Sequence, residues 1–96
     1  MGSTKSELYF VFLIYDQEYE RLRTNRTKSG ANKLDLYLSR KHDELLASTL
    51  EPGSYKKISS FAIVDGFTVE ITEDQVNVLR SAKRVRIVEK EEKFVL

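Results

Sequence analysis

The 96-residue chain contains no cysteine, one histidine and almost no excess charge. The absence of cysteine excludes disulfide bridges and thiolate metal sites. It also means that cysteine usage does not indicate the redox compartment. With 16 Lys and Arg against 15 Asp and Glu, the net charge is +1. A nucleic-acid interface needs a clear basic excess, so that class is disfavoured. Gly53 and Gly66 stand alone, without a glycine-rich phosphate loop. These absences predict no cofactor, no metal and no nucleic-acid partner.

The sequence also lacks a long apolar run. The longest, Leu8–Tyr15, is far shorter than the ~20 residues that span a membrane. Asp16, Glu18 and Glu20 follow it without a small-residue cleavage site, so it does not fit a signal peptide. Its aromatic and aliphatic composition predicts a strand. If Met1 is native, we expect an intracellular protein with no membrane partner. If residues 1–3 are a cloning remnant, the chain is an excised piece of a larger protein.

A polar segment separates this strand from a long helix. Asp16–Gly30 is interpreted as a loop with a helical turn at Glu18–Arg23, and its basic residues as a solvated surface. The helix is predicted over Ala31–Leu50, with Asn32 as its N-cap. Pro52-Gly53 ends it and turns the chain. Its buried face is predicted from three- and four-residue steps between Leu34, Leu38, Leu45, Leu46 and Thr49.

The second half of the chain predicts two strands, a helix and a final strand. Tyr55–Val64 indicates a strand, and Asp65-Gly66 a tight hairpin turn. The alternating run Phe67–Ile71 indicates a half-buried third strand. Thr72–Gln75 reads as a capping box that starts a second helix, and Val85–Glu89 is a fourth strand.

This order predicts one α+β domain over residues 1–96, with flexible ends at 1–7 and 91–96. Strand, helix, strand, strand, helix, strand gives a ferredoxin-like βαββαβ sandwich, a four-stranded antiparallel sheet with two helices on one face. The other face stays uncovered. Since Leu8–Tyr15 is apolar at odd and even positions alike, we expect an exposed apolar patch there, which is typical of a partner site.

No constellation for catalysis is evident, so the chain is expected not to be an enzyme. His42 lies mid-helix, without a nucleophile or metal partner at a defined spacing, and is interpreted as a structural residue. Tyr9, Phe10 and Phe12 resemble the stacking aromatics of RNA-binding sheets. The third strand lacks the basic–aromatic motif of those domains, which disfavours RNA binding.

Short motifs in a fixed order resemble the propeptides of plant subtilases. The resemblance covers most of the chain except the loop over Asp16–Gly30. The motifs are a helix with His42 before a Leu45-Leu46 pair, a Tyr55-Lys56 strand start, Gly66-Phe67 after the hairpin, and a helix start at Ile71–Gln75.

The resemblance implies a ferredoxin-like module that helps a subtilisin-like serine protease to fold and then inhibits it. The open sheet face is implied to contact the protease, with Thr68, Glu70, Tyr9 and Val11 as contact candidates. The Glu70 carboxylate is expected to cap a helix N-terminus of the partner.

The same resemblance places the C-terminal tail in the substrate cleft like a cleaved product. Leu96 would occupy the primary specificity pocket, with Val95 and Phe94 in the next pockets and Lys93 before them. The stretch Glu89–Lys93 is more charged than a typical propeptide end. The alternative is a non-inhibitory interaction module that forms a homodimer through the same sheet face.

Overall fold

The structure is a computed structural model that describes residues 5–91 and holds four strands and three helices within them. The elements are β1 (Glu7–Leu13), α1 (Gln17–Arg23), α2 (Lys28–Thr49), β2 (Lys56–Phe61), β3 (Gly66–Ile71), α3 (Glu73–Arg80) and β4 (Val85–Lys90).

The four strands form one antiparallel sheet in the order β2-β3-β1-β4. Strands β1 and β3 are central, and their register places Val11 opposite Phe67 and Phe10 opposite Thr68. This is the ferredoxin-like α+β arrangement that the sequence predicts, with α1 as an additional helix.

The main core lies between one face of the sheet and the helices α2 and α3. Alternate β3 residues, Phe67, Val69 and Ile71, have no exposed surface, as expected of a strand whose side chains alternate between faces. They pack with residues spaced along two helices, which are Leu45, Leu46 and Leu50 of the α2 region and Val76 and Leu79 of α3. A second, smaller cluster of Tyr19, Leu34 and Leu38 joins α1 to α2.

The segment between β1 and α2 is more helical than the sequence indicates. Asp16 caps α1 by accepting a 3.0 Å hydrogen bond from the Glu18 amide. Thr27 caps α2, because its hydroxyl accepts from the Gly30 amide at 3.0 Å. The predicted N-cap at Asn32 is therefore wrong, and Asn32 lies inside α2. A Cβ on Gly30 would lie 2.5 Å from Cγ of Asn25, so only glycine lets the loop pack against this first turn.

The β2–β3 hairpin also differs from the prediction. Strand β2 ends at Phe61, residues 62–65 form a four-residue turn, and Ile63 is 88% exposed in that turn. Gly66 is the first residue of β3 and has no positive φ, so the two-residue turn at Asp65-Gly66 is wrong. Glycine is needed there for space, since a Cβ would lie 2.8 Å from the carbonyl oxygen of Val11.

Two helix-boundary predictions are confirmed. The Thr72 hydroxyl accepts from the Gln75 amide at 3.3 Å, and the Gln75 side chain accepts from the Thr72 amide at 2.9 Å, so the capping box is formed. After α2, Gly53 adopts a φ of 81°, a left-handed conformation that glycine adopts at little cost. It turns the chain towards β2.

Candidate functional site

The sheet face opposite the helices carries a patch of large apolar side chains. Because side chains alternate along a strand, the even-numbered residues of β1 lie on this face and the odd-numbered residues face the helices. Residues of β2 and β4 that pair across the sheet with these positions lie on the same face. We call the half-buried residues Leu8, Phe10, Phe12, Phe61 and Ile87 the open-face patch.

Aromatic rings form the centre of the open-face patch. Phe10 and Phe12 stack with ring centroids 6.3 Å apart, and Phe10 and Phe61 lie 6.2 Å apart. Such ring pairs contribute about 0.5–1.5 kcal/mol beyond simple burial, so they hold one another in fixed positions. The patch is therefore a preorganised apolar surface on the side of the sheet away from the helices.

Polar residues lie beside these rings on the same face. Thr68 is opposite Phe10, is 5% exposed, and its hydroxyl is 3.1 Å from the hydroxyl of Ser59. Glu70 is opposite Leu8 and is exposed, and Glu89 is opposite Phe10 from β4 and is also exposed. The structure thus places Thr68 and Glu70 on the open face, with two carboxylates beside the patch.

Tyr9 and Val11 lie on the other face, so their prediction as open-face residues is wrong. Val11 has no exposed surface and belongs to the main core, and Tyr9 packs against that core. Because β1 is apolar on both faces, its sequence alone does not indicate whether the odd-numbered or the even-numbered residues are covered by the helices. Only pairing with β3, where Phe67 and Val69 identify the core side, settles it. Leu8 belongs to the even-numbered set of β1 for this reason, whereas Phe61 and Ile87 join the patch from β2 and β4 through cross-strand pairing that no local pattern predicts.

The predicted cleft tail lies outside the described residues, namely Lys93, Phe94, Val95 and Leu96. The last described contact is the Glu91 amide, which donates to the Leu8 carbonyl at 2.9 Å. The chain therefore leaves the sheet beside the first residues of β1.

A cluster of charged and polar side chains is largely buried on the helix side of the hairpin, with Lys41 and Asp16 partly exposed. His42 has no exposed surface, with Nδ1 2.7 Å from the Ser60 hydroxyl and Nε2 2.9 Å from Asp65 Oδ1. Lys41 binds the other oxygen of Asp65 and donates to Asp16 at 2.8 Å. We call Asp16, Lys41, His42, Ser60 and Asp65 the buried polar cluster.

Opposing effects act on the carboxylates of this cluster. Burial raises the pKa of Asp16, but hydrogen bonds from Lys41 and Tyr37, the charge of Lys41 and the Glu18 amide together lower it to about 2. Burial likewise raises the pKa of Asp65, and hydrogen bonds from His42 and Lys41 with the Lys41 charge outweigh it and lower the pKa. Both groups are ionised at neutral pH. The pKa of Tyr37 is raised by burial and by its hydrogen bond to the Asp16 carboxylate.

Ser60, His42 and Asp65 contain the same residue types as the serine-hydrolase triad, but the ring nitrogens are exchanged, because Nδ1 contacts the serine and Nε2 the aspartate. An ionised Asp65 only accepts, so Nε2 of His42 carries a proton, and in the neutral ring Nδ1 accepts from Ser60. This part of the arrangement suits a general base. However, the imidazole is fully buried and packs on Phe67 with ring centroids 4.8 Å apart. The role of the cluster is therefore structural: its members give one another hydrogen-bond partners where α2 meets the β2–β3 hairpin.

Residues 5–91 contain neither a cluster of metal ligands nor a membrane-spanning helix. No group of three or more His, Asp or Glu side chains there is arranged to hold a metal ion. None of the described helices is both long enough and apolar enough to cross a membrane.

Part of the chain is similar to plant subtilisin-like proteases. The matched proteins, all from Arabidopsis thaliana, include Subtilisin-like protease SBT2.5 (41% identical over 56 residues), SBT2.6 (40% over 56 residues) and SBT2.4 (43% over 51 residues). These matches cover 52–57% of this chain, and the matched part is 6–7% of the length of each relative. No family model matches the chain, and no solved structure matches it. About half of the chain therefore forms a region related to subtilisin-like proteases.

Proposed function

We propose that this chain is a non-catalytic module that binds and inhibits a subtilisin-like serine protease, and also assists its folding, in the manner of a subtilase propeptide. The open-face patch carries the proposal, because a fixed apolar surface beside two exposed carboxylates is typical of a protein-binding site. The similarity to a short part of subtilisin-like proteases supports the choice of partner.

The size of the sheet face argues for a second contact. Four strands about 4.8 Å apart and six residues long cover roughly 19 by 20 Å, or about 380 Å². A standard stable interface buries about 800 Å² on each partner. The flat area of the sheet face is about half of that value, so in the proposal the segment Lys93–Leu96 adds contact area by pairing as a strand in the substrate cleft.

The carboxylates beside the patch supply orientation in this proposal. Helix N-termini carry unpaired amides and a partial positive charge, so they accept an exposed carboxylate. Glu70 and Glu89 are on the open face and have no ion-pair partner among residues 5–91. Each is therefore available to meet a helix end of the protease while Phe10 packs beside it.

The experiment is an inhibition assay with matched variants. The chain is titrated into a plant subtilase, with a bacterial subtilisin for comparison, while hydrolysis of a peptide substrate is followed. We expect sub-micromolar inhibition that weakens at least tenfold in Phe10→Ser, because hot-spot aromatics carry such energies. Tyr15→Ser removes an aromatic that is 76% exposed and not on the open face, and should inhibit like the parent chain.

Removal of Phe94–Leu96 tests the tail separately, and recovery of activity by a denatured protease in the presence of the chain tests the folding role. Circular dichroism shows whether each variant is folded. Equal inhibition by the parent chain and a folded Phe10→Ser variant would rule out the sheet face as the contact surface.

The stacked rings of the patch also favour a second candidate, self-association through the same face. A homodimer would cover the patch without a protease. Sedimentation distinguishes the two: a dimer that Phe10→Ser dissociates, together with no inhibition of either protease, would establish the self-associating module instead.

A further inference from the structure

A groove of about 800 Å³ lies away from the open face, between the end of β1 and the exposed side of α2. Its lining comprises Leu13, Ile14, Tyr15, Asp16, Gln17, Lys33, Leu36, Tyr37, Arg40, Lys41, Glu44 and Arg84. We call it the helix-side groove. Neither the protease contact proposed above nor the buried core accounts for it.

The walls of the groove are held in place by the fold. The Ile14 amide donates to the Arg84 carbonyl at 2.9 Å, which fixes the end of β1 beside the residue that precedes β4. Tyr37 and Lys41 donate to Asp16 at 2.5 and 2.8 Å, which joins α2 to the start of α1. The groove is thus present before any partner arrives, which lowers the cost of binding.

Large apolar side chains are exposed along this groove. Ile14, Tyr15 and Leu36 are 44%, 76% and 62% exposed, although each has a bulky side chain. They lie together with Leu13 at the groove. An enclosed small ligand would have most of its surface covered by the pocket. Walls this exposed suit a peptide segment that lays one or two apolar side chains against them.

Unpaired cations define the charge of the partner. Lys33, Arg40 and Arg84 line the groove, and none of them has an ion-pair partner among the described residues 5–91. Lys33 and Arg40 lie seven residues apart on α2, with Leu36 between them, so the three share one side of the helix. The groove lining contains two acids, Asp16 and Glu44. Asp16 is paired with Lys41, so Glu44 is the acid in the lining that remains to offset these cations.

The described ends of this chain lie elsewhere. Lys5 precedes β1 and Glu91 bonds to Leu8, whereas the groove is at the Leu13 end of the same strand. The cations and the exposed apolar side chains of the groove therefore define its occupant by chemistry.

We propose that the helix-side groove binds a short acidic segment of a partner polypeptide, with one or two large apolar side chains between its carboxylates. The apolar side chains pack on Tyr15 and Leu36. The carboxylates of the segment pair with Arg40, Arg84 and Lys33. Because the groove and the open face are on different sides of the sheet, both partners bind at the same time.

The probe for the test is a fluorescein-labelled synthetic peptide in which Glu and Asp alternate with Leu and Phe. A peptide with Lys in place of the acids is the control. We expect saturable binding of the acidic peptide by fluorescence anisotropy, weakened by added salt. The Arg40→Glu, Arg84→Glu double variant should lose about tenfold or more in affinity, because two attractive contacts become repulsive.

A matched double variant controls for overall charge. Arg26→Glu with Lys28→Glu changes the net charge equally, at exposed positions outside the groove, and should bind like the parent chain. Leu36→Ser removes an exposed apolar contact without opening the core, and should weaken binding without unfolding the chain.

The proposal is overturned by no saturable binding, by equal binding of the Lys peptide, or by equal losses in the two double variants. It is also overturned if anionic vesicles bind in a way that depends on Arg40 and Arg84 and the peptide does not. Self-association that Arg40→Glu with Arg84→Glu abolishes would identify a second copy of the chain as the occupant and would likewise overturn it. Failure of these measurements leaves the inhibition assay untouched, because its test variant Phe10→Ser lies on the open face and only its control, Tyr15→Ser, lies at the groove.

Discussion

Asp65 connects the β2–β3 turn to α2 through its two carboxylate oxygens and to β1 through its backbone carbonyl. One oxygen accepts from His42 and the other binds Lys41, both on α2, while the Asp65 backbone carbonyl accepts from the Leu13 amide at 2.9 Å. With its side chain 7% exposed, this carboxylate carries charge into a nearly dry site. Removing one partner of such a buried pair is costly because it leaves the other charge uncompensated. Lys41 also pairs with Asp16, so its charge keeps one carboxylate partner if Asp65 is removed.

Acid should weaken this cluster at its carboxylates. The pKa of Asp16 in the folded chain, about 2, lies below its ordinary value of 3.8. Because the folded pKa is the lower one, its stabilisation is fully present above about pH 4 and is lost as the pH falls towards 2. Allowing for the partial exposure of Asp16, this amounts to about 1–2 kcal/mol in the free energy of unfolding.

Urea unfolding at several pH values tests this contribution. Asp16→Asn should lower the free energy of unfolding by about 1–2 kcal/mol at pH 6, with the difference from the parent chain shrinking below pH 3. Asp35→Asn removes an exposed carboxylate of α2 and serves as the control. A constant difference between Asp16→Asn and the parent chain from pH 6 to pH 2 would contradict the assignment.

At the level of helices and strands, local sequence signals predict some boundaries and miss others. The capping box at Thr72 and Gln75 was predictable because both halves of the motif are close in sequence. The start of α2 was not, since Asn32 and Thr27 are both good N-cap types. The choice depends on Gly30, whose missing Cβ makes room for Asn25. That contact cannot be read from periodicity.

The same limit applies to the open face. The alternation in β3 predicts its core side correctly, through Phe67 and Val69. Strand β1 carries apolar residues at every position from Leu8 to Leu13, so its core side depends on pairing with β3. A one-residue change in register exchanges the two faces, and Tyr9 and Val11 were assigned to the wrong one.

The two candidate N-caps of α2 give a direct test. Thr27→Ala removes the acceptor for the Gly30 amide and should lower the free energy of unfolding by about 1 kcal/mol. Asn32→Ala replaces an exposed residue within α2 with a better helix former, and should leave stability unchanged or slightly raise it. Thermal unfolding followed by circular dichroism measures both. A larger loss in Asn32→Ala than in Thr27→Ala would mean that the helix begins at residue 32.

For the molecule as a whole, the two apolar clusters differ in how they are held. The main cluster lies between the sheet and the helices and includes residues far apart in the sequence. The smaller cluster attaches α1, which has seven residues, to α2 through Tyr19, Leu34 and Leu38. A helix this short is not stable alone, so α1 depends on this attachment. We therefore expect α1 to open locally while the sheet stays closed.

Native-state hydrogen exchange tests this difference in stability. Amides of α1 should exchange through openings of lower free energy than amides of β1 and β3. Tyr19→Phe removes the 2.7 Å hydrogen bond from the Tyr19 hydroxyl to the Ala62 carbonyl, worth about 1 kcal/mol, so exchange in α1 should become about fivefold faster. Exchange in β3 should not change, and Tyr15→Phe should change neither. If Tyr19→Phe accelerated α1 and β3 equally, the two clusters would unfold as one unit, and the attachment of α1 would contribute to global stability instead.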